Sequence, residues 1–253
     1  MTPILISLSS FGATEVRRHG QLRFAQLAHQ AGADGVEVRG ELLLNGVAEL
    51  SALAQALPAM IRVYSSPEGL WAPDGQLDAE ALKRGLMGAQ ALGSARLKMS
   101  IGGYRPGQSA SLARVSQLLD GSGVELVIEN DQTATAGTQD ALAAFFAAVD
   151  AHGHPIGMTF DIGNWHWAGE CPLLAAAEFG LRVCYVHCKG VQRDLRRWTA
   201  VPLAESAAPW RAVLRRLPVN QPWAIEYPLV GSDLLLVTRT ELAQLRDVAR
   251  SMA

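Results

Sequence analysis

Four strand-like segments in the second half of the chain each set one potential metal ligand in an otherwise apolar run. They are Leu126-Val127-Ile128-Glu129-Asn130, Met158-Thr159-Phe160-Asp161-Ile162-Gly163-Asn164, Val183-Cys184-Tyr185-Val186-His187 and Trp223-Ala224-Ile225-Glu226-Tyr227. An ionisable group inside a buried strand needs a partner, because desolvating a lone charge costs several kcal/mol or forces it to neutralise. If folding brings the four together, three carboxylates confront one another. Two unit charges about 4 Å apart repel by roughly 4 kcal/mol at an effective dielectric of 20. Either their pKa values rise or a cation sits among them. Three oxygen donors and one imidazole suit a divalent ion, Mn²⁺ first, with Mg²⁺ and Co²⁺ also fitting and positions left open for substrate oxygens. Zn²⁺ is compatible but more often takes additional nitrogen or sulfur. The plainer alternative is a buried Glu–His pair with two solvated acids. One ligand on each of four successive strands argues against it.

The elements that must position these residues alternate from one end of the chain to the other. Short β-branched or apolar runs at 4–8, 35–39, 61–65, 96–100, 125–129, 157–161, 183–187 and 224–227 read as strands. Segments of helical period at 15–31, 47–57, 78–92, 109–118, 138–152, 172–179, 208–217 and 234–250 separate or follow them. Thr14, Asp78 and Pro172 supply start signals, and Gly153 a stop. Strands recur roughly every 30 residues, the size of a βα unit, and strict alternation favours a parallel sheet. The fold class expected is α/β, a single (β/α)8 TIM barrel occupying residues 1–253 as one domain. An open doubly wound sheet would more often show a glycine-rich phosphate turn after the first strand, and Ser9-Ser10-Phe11-Gly12 offers none. In a barrel, Glu129, Asp161, His187 and Glu226 would all end at one mouth.

Composition narrows the partners. The formal charge of −2 gives no general electrostatic footprint for nucleic acid, and no apolar run approaches a membrane span. Three cysteines, Cys171, Cys184 and Cys188, lack paired spacing, so a reduced, cytoplasmic setting is expected. The opening Met1-Thr2-Pro3-Ile4 runs straight into an apolar strand without a targeting pattern. Against nineteen arginines there are only three lysines, Lys83, Lys98 and Lys189, which makes each worth placing.

Several stretches resemble motifs of the xylose-isomerase-like barrel superfamily of sugar phosphate isomerases and epimerases. They are Val127-Ile128-Glu129-Asn130, the run from Phe160 to Glu170, Val186-His187-Cys188-Lys189, Gly35-Val36-Glu37-Val38 and Ala224-Ile225-Glu226. The resemblance spans nearly the whole chain and extends to the ketose 3-epimerases of that superfamily. It implies that Glu129, Asp161, His187 and Glu226 hold one divalent metal, and that Glu129 and Glu226 also flank the substrate as an acid/base pair. Such a metal would acidify the C–H next to a chelated ketone and stabilise the enediolate left behind. One carboxylate removes the proton and its partner returns one: to the same carbon for epimerisation, to its neighbour for isomerisation. The implied partner is a small sugar, sugar phosphate or keto-sugar acid, with a homodimer compatible.

Further residues are candidates for substrate contact. Asn164 stands where several family members carry a substrate-contacting histidine, and an amide can hydrogen-bond a hydroxyl but ligates metal poorly. Arg193 matches a substrate-binding arginine, although Arg-Asp-Leu-Arg-Arg at 193–197 also reads as a solvated helix start. Lys189 shares a strand face with His187, and Lys98 lies inside a strand where it needs a carboxylate or a ligand. Glu37 and Arg39 share a face, with an internal ion pair beneath the mouth as the structural alternative. Trp165, His166 and Trp167 either wall the pocket or pack under a loop; His19, His29, His152 and His154 read as surface histidines. Other functions on the same scaffold are a keto-inositol-type dehydratase and a hydroxypyruvate isomerase, and, from another class, a noncatalytic sugar-binding protein. An apurinic endonuclease would need histidines where this chain has Asn164, Ala200 and Pro202.

Overall fold

The computed structural model describes residues 2–108, 110–153, 155–195 and 197–252. The surface reading of His154 and the helix start at Ser109 lie outside those residues. In chain order the elements are β1 (Ile4–Ser7), α1 (Ala13–His19), α2 (Gln21–Ala31), β2 (Gly35–Arg39), α3 (Val47–Ala56), β3 (Ile61–Trp71), α4 (Ala79–Leu92), β4 (Arg96–Gly102), α5 (Ala110–Leu119), β5 (Glu125–Glu129), α6 (Gln139–His152) and β6 (Gly157–Asp161). There follow α7 (Asn164–Trp167), α8 (Pro172–Phe179), β7 (Val183–Cys188), β8 (Gly190–Asp194), β9 (Arg197–Val201), α9 (Trp210–Leu214), β10 (Trp223–Ile225) and α10 (Leu234–Met252).

Eight parallel strands close into a barrel in the order β1-β10-β7-β6-β5-β4-β3-β2. Closure is made by β1 against β10, with Leu5 opposite Ala224, and is clamped outside by Arg246 of α10, which donates to the carbonyl of Gly32 at 2.6 Å. Alternation along the strands builds two layers. Ile4, Ile6, Val36, Val38, Ile128 and Ile225 face outward into the main apolar core beneath the helices. Leu5, Val63, Tyr185 and Ala224 point inward and form a small apolar floor inside the barrel. Two residues further along these same strands, the inward positions become Ser7, Ser65, His187 and Glu226. The polar residues therefore lie at the C-terminal mouth because strand direction and a period of two put them there.

Local signals account for most boundaries. Asp78 caps α4 by accepting from the amide of Ala81 at 2.8 Å, Pro172 opens α8, and Gly153 ends α6 in the left-handed conformation. The first helix is corrected: Gly20, at φ +78, splits the expected 15–31 segment into α1 and α2, and Thr14 lies inside α1 rather than capping it. The helix-start reading of 193–197 is also corrected. Val191, Trp198, Thr199 and Val201 favour strand, and they pair as the antiparallel β8–β9 hairpin, turning at Leu195. No described helix is long and apolar enough to cross a membrane.

Candidate metal centre

The four donors meet at the mouth. One ligand atom from each of Glu129, Asp161, His187 and Glu226 lies within 4.8 Å of the others. Asp161 and His187 are direct neighbours in the β6–β7 register, and Glu129 ends β5 while Glu226 directly follows β10. His187 is oriented from below: its Nε2 is 2.7 Å from Glu37 Oε2, in a pair that is completely buried. Nδ1 is thereby turned to the carboxylates, 2.8 Å from Glu129 Oε1, 3.0 Å from Glu226 Oε2 and 3.7 Å from Asp161 Oδ2. A histidine braced by a carboxylate on one nitrogen and facing oxygens with the other is a recurrent arrangement at metal centres.

The two oxygens of Asp161 are held differently. Its Oδ1 accepts from the amides of Gly163 and Asn164 at 2.8 and 2.9 Å, and its backbone N–H donates to Asn130 Oδ1 at 2.8 Å. Asp161 Oδ2 is buried against the Lys189 ammonium, 2.7 Å away. Burial raises the pKa of this carboxyl, and Lys189 does not fully offset it. For the other three acids burial pushes the same way but is outweighed. His187 and Lys98 hold Glu37 below the usual carboxylate range, Lys98 and His187 do so for Glu129, and His187 and Lys189 hold Glu226 well below it. Burial alone would lower the His187 pKa; Glu226 and Glu37 drive it well above the ordinary imidazole value. Three carboxylates turned towards one imidazole nitrogen, with ligand atoms within 4.8 Å of one another, fit a divalent cation.

Around the donors runs a ring of cations. Lys98, whose Cα sits lower in the barrel, reaches up to Glu129 Oε2 at 2.7 Å and to Glu37 Oε1 at 3.2 Å. Lys189 lies 2.7 Å from Asp161 Oδ2, 2.8 Å from Glu226 Oε2 and 3.0 Å from Asn164 Oδ1. Arg39 bridges Glu226 at 2.6 Å and Glu37 at 3.2 Å, and also holds Glu41 at the rim. A cavity of about 220 Å³ opens beside Lys189 and Glu226, bordered by Ser9, Ser10, Ala200 and Tyr227. Of two larger hollows of about 530 Å³, one adjoins this cavity through Ala200 and Pro228 and the other lies by Arg215 and Leu217; none of the four donors lines either.

Glu37 and Arg193, two of the expected substrate contacts, lie in different surroundings. Glu37 has no exposed surface, and both of its oxygens are taken by His187, Lys98, Arg39 and Ser7, so it braces the site from beneath. Arg193 lies on the exposed hairpin with its guanidinium over the Trp198 ring; among the described residues no ion pair links it to the cluster. Asn164 is brought close, but its side chain is engaged: Oδ1 accepts from Lys189 and Gln132, and Nδ2 donates to the Asn130 carbonyl. Trp165 is fully buried and stacks on Phe179, while His166 meets Trp198 of the hairpin at 4.9 Å. Sequence reasoning assigned no role to Asn130, which ties β5 to β6 through two hydrogen bonds, or to the Arg39–Glu226 contact. A buried amide directly after a candidate ligand was the available signal for the first.

Residues 25–248 match the family model described as xylose isomerase-like TIM barrel. The chain belongs to this family. Among solved structures it is similar to an L-ribulose 3-epimerase, with 16% identity, a TM-score of 0.72, and coverage of 100% of this chain and 96% of that one. It is also similar to the 3-keto-D-glucoside 4-epimerase of E. coli in its apo form, with 16% identity, TM-score 0.66, and coverage of 98% and 100% respectively. A xylose isomerase-like TIM barrel protein from Mycobacterium smegmatis, in complex with magnesium, shows 18% identity, TM-score 0.67, and coverage of 100% and 98%. At such identities the likeness concerns the fold. Against curated proteins no significant match is found.

Proposed function

We propose that this family member is a divalent-metal-dependent isomerase or epimerase that relocates a proton next to the carbonyl of a small ketose, sugar phosphate or keto-sugar acid. The observation that carries this reading is the convergence of Glu129, Asp161, His187 and Glu226, whose ligand atoms lie within 4.8 Å of one another. A metal ion held by these four would withdraw electrons from a substrate carbonyl and acidify the adjacent C–H.

The remaining work belongs to the protein. Glu129 ends β5 and Glu226 follows β10, with β6 and β7 between them, and in this scheme the substrate lies with one carboxylate on either side. Lys98 and His187 keep Glu129 ionised despite its burial, as His187 and Lys189 do for Glu226, so each is able to accept a proton. When one takes the proton and the other returns one from the opposite face, configuration inverts. Return to the neighbouring carbon exchanges ketose and aldose. The epimerase neighbours support this reading, as do two carboxylates that pure sugar binding would not require.

The test is deuterium uptake in D₂O, followed by NMR, for ketoses, their phosphates and keto-sugar acids with Mn²⁺-loaded protein. Uptake at a carbon next to the carbonyl is expected, and Glu129→Gln and Glu226→Gln should each abolish it without altering the circular dichroism spectrum. Undiminished uptake in both variants would sink the two-carboxylate scheme.

A further inference from the structure

We infer that Lys189 is an exchangeable counter-cation of this site: its ammonium holds the Asp161 and Glu226 oxygens that a divalent ion would take, and entry of that ion turns it towards the substrate cavity. This rests on the metal-centre reading above.

Position is the first argument. Lys189 Nζ is 2.7 Å from Asp161 Oδ2 and 2.8 Å from Glu226 Oε2, and these same two oxygens face His187 Nδ1 at 3.7 and 3.0 Å. One ammonium thus touches two of the four candidate ligands on their site-facing atoms. Lys98 differs. Among the four it touches only Glu129, on Oε2, leaving Oε1 for the site, and its other partner Glu37 is not a ligand. Lys98 can therefore stay in place when a metal enters, whereas Lys189 must give way.

Charge is the second argument. The carboxylates of Glu37, Glu129, Asp161 and Glu226 are already met by the fixed cations Arg39, Lys98 and Lys189. A divalent ion enters a cluster furnished with positive charge and has to displace some of it.

The third argument is that Lys189 has somewhere to go. Its stem lies against Gly163, where an added Cβ would meet Lys189 Cγ and Cδ at 2.8 and 2.9 Å, so the glycine leaves the path for the side chain clear. Asn164 Oδ1, at 3.0 Å, keeps one partner for the ammonium independent of the metal ligands. Lys189 also borders the cavity of about 220 Å³ beside Glu226, so donors released from Asp161 and Glu226 can be offered to a substrate oxygen there.

Titration with Mn²⁺ by calorimetry tests this on wild type, Lys189→Met and Lys98→Met. Removing the competing ammonium should tighten Mn²⁺ binding by about tenfold or more in Lys189→Met, with a smaller change in Lys98→Met. Equal or weaker binding in Lys189→Met would overturn the inference, as would an equal gain in Lys98→Met, which would reflect general charge alone. A loss of folding in the variants is bypassed on wild type by ¹⁵N NMR of the lysine Nζ groups, of which there are three. Saturating Mg²⁺ should shift the Lys189 signal and speed its exchange with water while Lys83 stays unchanged. A Lys189 signal indifferent to bound Mg²⁺ would overturn the inference. Absence of Mn²⁺ binding in all three proteins would instead overturn the metal-centre reading, a result distinct from equal binding in all three.

Discussion

Glu37 shows how a residue can govern a site without touching its substrate. Its Oε2 pins His187 Nε2, which leaves Nδ1 facing the three ligand carboxylates, and its Oε1 is shared by Ser7, Lys98 and Arg39. Glu37→Gln keeps the volume but removes the charge and the strong acceptor that orient the imidazole. Mn²⁺ affinity measured by calorimetry should fall by about 10–100-fold; an unchanged affinity would contradict the bracing role. At this scale the convergence of Glu129, Asp161, His187 and Glu226 was legible because a carboxylate or imidazole inside an apolar strand is conspicuous. The pairing of Glu37 with Arg39 was legible from alternation. Asn130 and the Arg39–Glu226 contact were not, since both depend on which strands become neighbours across the closed barrel.

Among the elements, the β8–β9 hairpin interrupts the regular alternation between β7 and α9. Its strands pair only with each other, and Trp198 anchors it to the mouth through His166. Leu195 at its turn combines a φ of +47 with 93% exposure. A leucine held in the left-handed region costs roughly 1–2 kcal/mol and here gains nothing from burial. Leu195→Gly should therefore slow amide hydrogen exchange in Gln192 and Thr199 by about fivefold; faster exchange would show that the turn is not strained. The hairpin was missed because a charged pentapeptide outweighed the β-branched and aromatic residues flanking it. The Gly20 break was missed for a related reason: helical periodicity continues across it, and only the backbone angle reveals the division.

Over the whole molecule, eight repeats of one strand-and-helix unit direct the cluster of Glu129, Asp161, His187 and Glu226 to one end. Below it Leu5, Val63, Tyr185 and Ala224 form an apolar floor, with the Arg96 guanidinium against the Tyr185 ring. The order of strands and the location of the mouth were legible in the alternation of residue types, since strand direction alone decides which end Glu129, Asp161, His187 and Glu226 reach. The cavity beside Lys189 was not, because its walls come from loops after β1 and β10 and from β9, segments with no short-range sequence signal for their mutual approach. The charge balance at the mouth is likewise a property of the assembled barrel: Arg39 comes from β2, Lys98 from β4 and Lys189 from the residue between β7 and β8.

Mn²⁺ stoichiometry tests the metal centre most directly, by titration of wild type, Asp161→Ala and His187→Ala, each checked for native circular dichroism. One Mn²⁺ per chain in wild type and no saturable binding in either variant is the expected result. Failure of wild type to bind, or unchanged stoichiometry and affinity in both variants, would contradict a metal centre formed by these residues.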